Sequence, residues 1–176
     1  MTLKSLEASI RTVPDFPKQG IMFRDITTLL KEAAAFREAV DLMHERYRDQ
    51  NIAKVVGIES RGFILGAALA LRLGAGFVPV RKRGKLPAPV IEQEYSLEYG
   101  TDKIEIHKDA IIKGERVLIH DDLLATGGTV SAACKLVESL GGTIVGLSFL
   151  IELSFLHGRQ QLATYDVHSI IRYDTE

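Results

Sequence analysis

The chain has 176 residues, enough for one domain with a full core and too few for two of ordinary size. Its 22 Lys+Arg against 23 Asp+Glu leave a formal net charge of −1, so nothing in the balance favours nucleic acid or a membrane surface as a partner. The single cysteine, Cys134, excludes an intrachain disulfide and fits a reducing cytoplasm, and no apolar run is long enough to span a bilayer.

The amino-terminal MTLKSLEASIRTV lacks the apolar core of a signal peptide. Leu3, Leu6 and Ile10 have helical spacing, which predicts a first helix from Leu3 to about Thr12. Pro14, Pro17 and Gly20 then break the chain into an irregular segment ending in Met22-Phe23-Arg24-Asp25. Phe36, Val40, Met43 and Tyr47 form one apolar stripe on a helix over about 34–48. Lys54 to Ile58 reads as a short buried strand, Gly62 to Leu73 as a nearly all-apolar helix that must be buried, and Gly76 to Val80 as the next strand. Arg81 to Gln93 carries four cations, two prolines and a glycine and reads as a long mobile loop. Glu94 to His107 follows as a two-stranded excursion, in which Ile104 and Ile106 alternate with Lys103, Glu105 and His107 as in a half-exposed strand. Val117–Ile119 is a buried strand, Thr143–Ile151 another, Phe155–Leu162 a short helix and Val167–Ile171 a last strand. Such alternation predicts an α/β fold, a mostly parallel sheet with helices on both faces and its ligand site beyond the carboxyl ends of the strands. Cys134 is expected to pack as a small apolar residue on the helix after Thr129.

Three strings leave from that edge. VLIHDDLLATGGT, from Val117 to Thr129, runs from a strand through two adjacent acids into a turn with almost no side-chain bulk. The amides of Ala125, Thr126, Gly127, Gly128 and Thr129 can close around a phosphate at a helix amino terminus, while Asp121 and Asp122 accept hydrogen bonds from sugar hydroxyls. No Lys follows the glycines as in a P-loop, and G-x-G-x-x-G is absent. Glu59-Ser60-Arg61-Gly62 offers amides and a guanidinium to a second anion. Arg81, Lys82, Arg83 and Lys85 crowd into five positions and repel one another unless an anion is present.

The first string resembles the 5-phosphoribosyl-1-pyrophosphate (PRPP) signature of the type I phosphoribosyltransferases. With FRDIT, ESRGF, RKRGKLPAPVIEQEYSLEYG and LIELSFLHGRQQL the resemblance narrows to that family's adenine-using branch, from about Leu6 through Tyr173. It implies the type I phosphoribosyltransferase fold as one domain over 1–176, with a hood at about 1–30 and a flexible catalytic loop and excursion over 81–107. It implies purine salvage: transfer of ribose 5-phosphate from PRPP to N9 of adenine, with Mg2+ as cofactor, in a cytoplasmic homodimer. Its residues would divide as follows. Ala125 through Thr129 would hold the 5-phosphate, and Asp121 and Asp122 the ribose hydroxyls. Glu59, Ser60, Arg61, Arg81, Lys82 and Lys85 would meet pyrophosphate. Phe23 and Leu123 would sandwich adenine, with backbone at Met22 and Arg24 reading its edge. Glu98, Arg61 and Lys82 would be catalytic, Glu98 taking the proton. No direct protein ligand to the metal is expected; magnesium would ride on PRPP oxygens and water near Asp121 and Asp122. His120 departs from the usual aliphatic residue before the acids, and a structural role in the core is the expectation. Transfer to hypoxanthine, guanine or xanthine, or a PRPP-sensing regulator, are the alternatives.

Overall fold

The computed structural model describes residues 3–96 and 100–175. Its centre is a seven-stranded sheet built from β3 (Lys54–Ile58), β4 (Gly76–Lys82), β5 (Val90–Ser96), β6 (Thr101–His107), β7 (Arg116–Leu124), β8 (Thr143–Leu153) and β9 (Val167–Tyr173). The spatial order is β5-β6-β4-β3-β7-β8-β9. The five strands from β4 to β9 in that order run parallel, and β6 and β5 continue the sheet antiparallel.

Side chains that alternate along the strands feed two cores. Val56, Ile58, Ile119 and Phe149 pack with Val130, Ala133, Cys134 and Val137 of α5 (Gly128–Ser139). Val55, Leu118 and Leu150 pack on the other face with Val40, Met43 and Tyr47 of α3 (Ala33–Tyr47) and with Leu65 and Leu69 of α4 (Gly62–Leu73). Each such buried aliphatic contributes about 1.5–3 kcal/mol, against about 0–1 kcal/mol for an exposed ion pair, so these two layers hold the sheet together. Burial pushes the Cys134 thiol up to about 12, which keeps it an inert core residue.

Several expectations are corrected. The first helix, α1 (Leu3–Ala8), stops early, because Arg11–Val13 forms a strand, β1, paired antiparallel with β2 (Phe23–Asp25). The FRD segment is therefore extended and hydrogen-bonded, not irregular. After a short α2 (Thr27–Leu30), Leu6, Ile10, Ile26 and Leu29 all join the α3–α4 core, so the amino-terminal segment has no separate core. α4 is buried on one side only, with Ile64 43% and Leu71 84% exposed. The acids lie inside β7, and residues 154–162 make two 3₁₀ turns, Ser154–Leu156 and Gly158–Leu162, in place of one helix.

The basic segment is also shorter than its composition suggested. β4 runs on through Lys82 and β5 begins at Val90, which leaves a turn over residues 83–89. The amides of Gly84, Lys85 and Leu86 donate to the Glu105 carboxylate at 3.0, 2.9 and 2.8 Å. Glu105 was expected on the exposed side of an alternating strand, and is buried because it is the acceptor for those three amides. Burial opposes its charge, but the three donors outweigh burial and hold its carboxyl below the usual range.

A second buried carboxylate ties the far edge. Glu152, 2% exposed, accepts from Arg159 Nε (3.0 Å) and Nη2 (2.5 Å), Ser169 Oγ (2.6 Å) and Arg172 Nη2 (3.2 Å). Burial alone would raise its pKa; Arg159 and Ser169 overcome that and bring it from 4.5 to about 2. The folded value lies below the unfolded one, so this stabilisation is complete above about pH 4.5 and is lost as pH falls towards 2. Urea denaturation of the parent and Glu152→Gln should therefore show a stability gap that is widest near pH 6 and narrows by pH 3. A gap that does not change with pH would dismiss the ionised carboxylate as the stabilising group.

Candidate active site

The site lies at the carboxyl edge of β3, β4 and β7, as a parallel sheet dictates. β7 is followed by Ala125-Thr126-Gly127, and Gly127, with φ +87°, turns the chain directly into α5. A side chain would be strained at that φ, and glycine is the residue that adopts it freely. With a glycine at the cap, no side chain satisfies the first amides of α5, which stay available to an anion. Asp121, Leu123 and the whole Ala125–Val130 stretch line a cavity of 70 Å³ there. The phosphate string thus wraps a small cavity at the amino terminus of α5.

The pyrophosphate string meets the acid pair at close range. A Cβ at Gly62 would stand 2.8 Å from Asp121 Oδ1 and 3.1 Å from Asp121 Cα, so only glycine lets the start of α4 lie against β7. Arg61 Nε is 3.1 Å from Asp122 Oδ2. The same guanidinium lies 5.2 Å from the centre of the Phe23 ring. Arg61 therefore joins the base candidate to the ribose candidate, a link the separate strings do not reveal. The Glu59–Ser60 peptide is cis.

Burial is the main force on the two acids. It raises Asp121 well above the ordinary carboxyl value, and the neighbouring Asp122 charge adds to the rise. Asp122, 3% exposed, is raised by burial against the opposing pull of Arg61. A pair held this way takes up hydroxyl donors or cationic charge readily. His120 is fully buried, and a Cβ at Gly66 would stand 3.3 Å from its ring. Burial lowers its pKa to about 4 against an opposing pull from the Ser148 backbone, which makes it a neutral core imidazole.

The basic string is arranged otherwise than its repulsion implied. All four cations have carboxylate partners within the chain. Arg81 Nε reaches Glu59 Oε2 at 3.2 Å, and Lys85 pairs with the same carboxylate. Lys82 Nζ is 3.2 Å from Asp102, and Arg83 Nε is 3.1 Å from Glu92. The Lys82 amide also donates to Glu59 at 3.0 Å. Glu59 thus serves the site by neutralising Arg81 and Lys85, and its side chain is no ligand for an anion. Asp102, which also accepts from Tyr95 Oη at 3.3 Å, escaped notice because one carboxylate on an exposed strand carries no signal in the sequence.

At the base end, Phe23 is half-buried and stacks edge-on with Phe16 at 5.1 Å. Leu123 is half-buried and Met22 is exposed. The Arg24 side chain leaves the cleft, with Nη1 donating to Thr12 Oγ1 at 2.5 Å and the guanidinium 3.9 Å from the Tyr173 ring centre, so only its backbone is available there. Glu98, on which proton transfer was placed, lies outside the described residues. Among those described, no group of three or more His, Cys, Asp or Glu is placed to cage a metal. The paired oxygens of Asp121 and Asp122 are nonetheless hard donors of the kind magnesium accepts.

Residues 25–171 match the phosphoribosyl transferase domain. An adenine phosphoribosyltransferase of Chloroflexus aurantiacus is 57% identical over 98% of this chain and 100% of its own. The crystal structure of adenine phosphoribosyltransferase from Thermoanaerobacter pseudethanolicus superposes with a TM-score of 0.95 at 53% identity, covering 98% of this chain and 100% of that one. The Saccharomyces cerevisiae enzyme, complexed with an imino-altritol bisphosphate and adenine, gives 0.91 at 41% identity over 96% and 97%. With the cradle, the acid pair and the pyrophosphate loop assembled at one edge, the chain belongs to the phosphoribosyltransferase family, in its adenine phosphoribosyltransferase branch.

Proposed function

We propose that this cleft transfers ribose 5-phosphate from PRPP to N9 of adenine, the reaction of its branch, with the following division of labour. The observation that supports it is the Phe23–Arg61–Asp122 series, three neighbouring side chains that this reading takes as base platform, pyrophosphate ligand and ribose ligand. Ala125 through Thr129 hold the 5-phosphate. Asp121 and Asp122 hold the 2′- and 3′-hydroxyls, and their negative potential favours the cation developing at C1′. Phe23 and Leu123 sandwich the base, and backbone at Met22 and Arg24 reads its edge.

Ser60 and Arg61 take the pyrophosphate, joined by Lys82, Arg81 and Lys85. Before the donor arrives these cations rest on Asp122, Asp102 and Glu59. The Lys82–Asp102 pair is largely exposed and contributes about 0–1 kcal/mol, so it opens at little cost. Asp122 is buried and the Glu59 side chain nearly so, and a cation that leaves them for pyrophosphate has to be replaced by another donor or positive charge. Magnesium, when bound, would supply charge neutralisation on the pyrophosphate, and Asp121 and Asp122 are the carboxylates that would meet it, directly or through water. In the transfer the C1′–O bond to pyrophosphate breaks as the N9–C1′ bond forms on the opposite face. The proton lost by the imidazole ring passes to Glu98.

No helix among the described residues is long and apolar enough to cross a membrane. We place the enzyme in the cytoplasm as a homodimer. Ile64 and Leu71 on the outer side of α4 border a groove lined by Phe36, Val40 and Ala68, the apolar surface a second copy would cover. Sedimentation equilibrium should give twice the chain mass, and a monomer at micromolar concentration would overturn that assembly.

Incubation with PRPP, Mg2+ and each purine base should yield nucleotide and pyrophosphate from adenine alone. Chelation of the metal should stop the reaction. Turnover of hypoxanthine, guanine or xanthine at a comparable rate would overturn the adenine reading, and PRPP binding without turnover would favour a regulator. Glu98→Gln should lower kcat by about 10²–10⁴ with a modest change in KM. Near-parental kcat in that variant would remove Glu98 from the proton transfer.

A further inference from the structure

The phosphate cradle is shaped from behind by a second stretch of backbone. The two 3₁₀ turns after β8 bring Gly158 directly under the turn that ends β7. A Cβ at Gly158 would overlap the Ala125 carbonyl oxygen outright and stand 2.9 Å from the carbonyl carbon of Thr126. The contact is reciprocal, since a Cβ at Gly127 would stand 2.7 Å from the Gly158 carbonyl oxygen. Both obstacles are main chain, which cannot rotate aside as a side-chain tip can. Two glycines thus allow two peptide segments to lie in contact, and the position of one fixes that of the other.

The supporting segment is itself held firmly. His157 adopts φ +55° at the junction of the two turns, and Leu162 at the end of the second is buried in the α5 core. Arg159, next to Gly158, makes two bonds to the buried Glu152 and donates through Nη1 to the Val167 carbonyl at 2.7 Å. Glu152 is fixed in turn by Ser169 and Arg172. A planar guanidinium bound on both edges sets direction as well as distance. The anchor therefore runs from β8 and β9 through Glu152 and Arg159 to Gly158, and from there to the amides of Ala125–Gly128.

We propose that Gly158, clamped by the Arg159–Glu152 pair, is a positioning residue that sets the curvature of the 5-phosphate cradle. The proposal rests on the reading of Ala125–Thr129 as the phosphate site. Amides that bind an oxyanion must converge to within hydrogen-bond distance of one point, so a displacement of a few tenths of an ångström at the turn weakens several bonds together. Phe23 and the Arg61 guanidinium beside it belong to β2 and to the start of α4, not to the turns that carry Gly158, so the expected damage falls first on the phosphate-bearing substrate.

Calorimetric titration with ribose 5-phosphate, together with steady-state kinetics at saturating PRPP and at saturating adenine, tests it on Gly158→Ala and Arg159→Lys. Gly158→Ala should bind ribose 5-phosphate and PRPP about tenfold more weakly or worse, equivalent to about 1.4 kcal/mol. Its KM for adenine should stay within about twofold. Arg159→Lys keeps the charge but loses the fork, and should move the same constants in the same direction by a smaller factor; it carries the test should Gly158→Ala not fold. Parental affinity for ribose 5-phosphate in the variants would overturn the proposal, as would a proportional loss of both substrates together with the melting temperature. Failure of the parent itself to take up ribose 5-phosphate would instead refute the phosphate reading on which the proposal stands.

Discussion

Adjacent carboxylates at the buried end of a central strand are costly, and the arrangement of this cleft follows from how that cost is met. Asp121 and Asp122 cannot both carry charge comfortably in an apolar edge, and one guanidinium, that of Arg61, stands against them. To bring Arg61 there the start of α4 must touch β7, which requires the missing side chain at Gly62. To keep α4 against β7 its Leu65 and Leu69 must be buried with Leu118. The acid pair, the pyrophosphate loop and one of the two cores are therefore a single construction, and it stays electrostatically incomplete until hydroxyl donors or further positive charge reach the acids.

The basic turn follows the same logic at a distance. Arg81, Lys82, Arg83 and Lys85 would drive the turn open if left alone, yet Glu59, Asp102 and Glu92 neutralise them while Glu105 gathers the amides beneath. On the proposed reading a substrate anion would exchange partners with carboxylates already in place and would not condense an open loop. Glu59 is the hinge of that exchange, because it belongs to the pyrophosphate loop by sequence and to the basic strand by contact.

What was legible in the sequence divides along the same line. β3 and α4 were predicted to the residue, since a largely apolar run bounded by charged and glycine punctuation needs no partner to be recognised. The strand–turn–helix of β7 and α5 was legible because it occupies one contiguous string. The β1–β2 ladder was not, for Arg11–Val13 pairs with Phe23–Asp25 across a proline-broken segment and neither strand shows alternation of its own. Glu105 looked exposed because period-two patterning reports which way a side chain faces and not what it meets there. Arg61 over Phe23, Asp102 under Lys82 and Gly158 under Ala125 are contacts between residues far apart in the chain, and composition carries no trace of them.

Those distant contacts also account for why an excursion from the sheet belongs to the site at all. β5 and β6 leave the edge beside β4, yet Tyr95 and Ser96 line a cavity of 330 Å³ with Thr126, Gly128 and Ser131, directly beside the phosphate cradle. Tyr95 binds Asp102, and Asp102 holds Lys82 on the strand that carries the basic string. A charge drawn towards Lys82 at one end of this series therefore pulls on a side chain packed beside the cradle at the other.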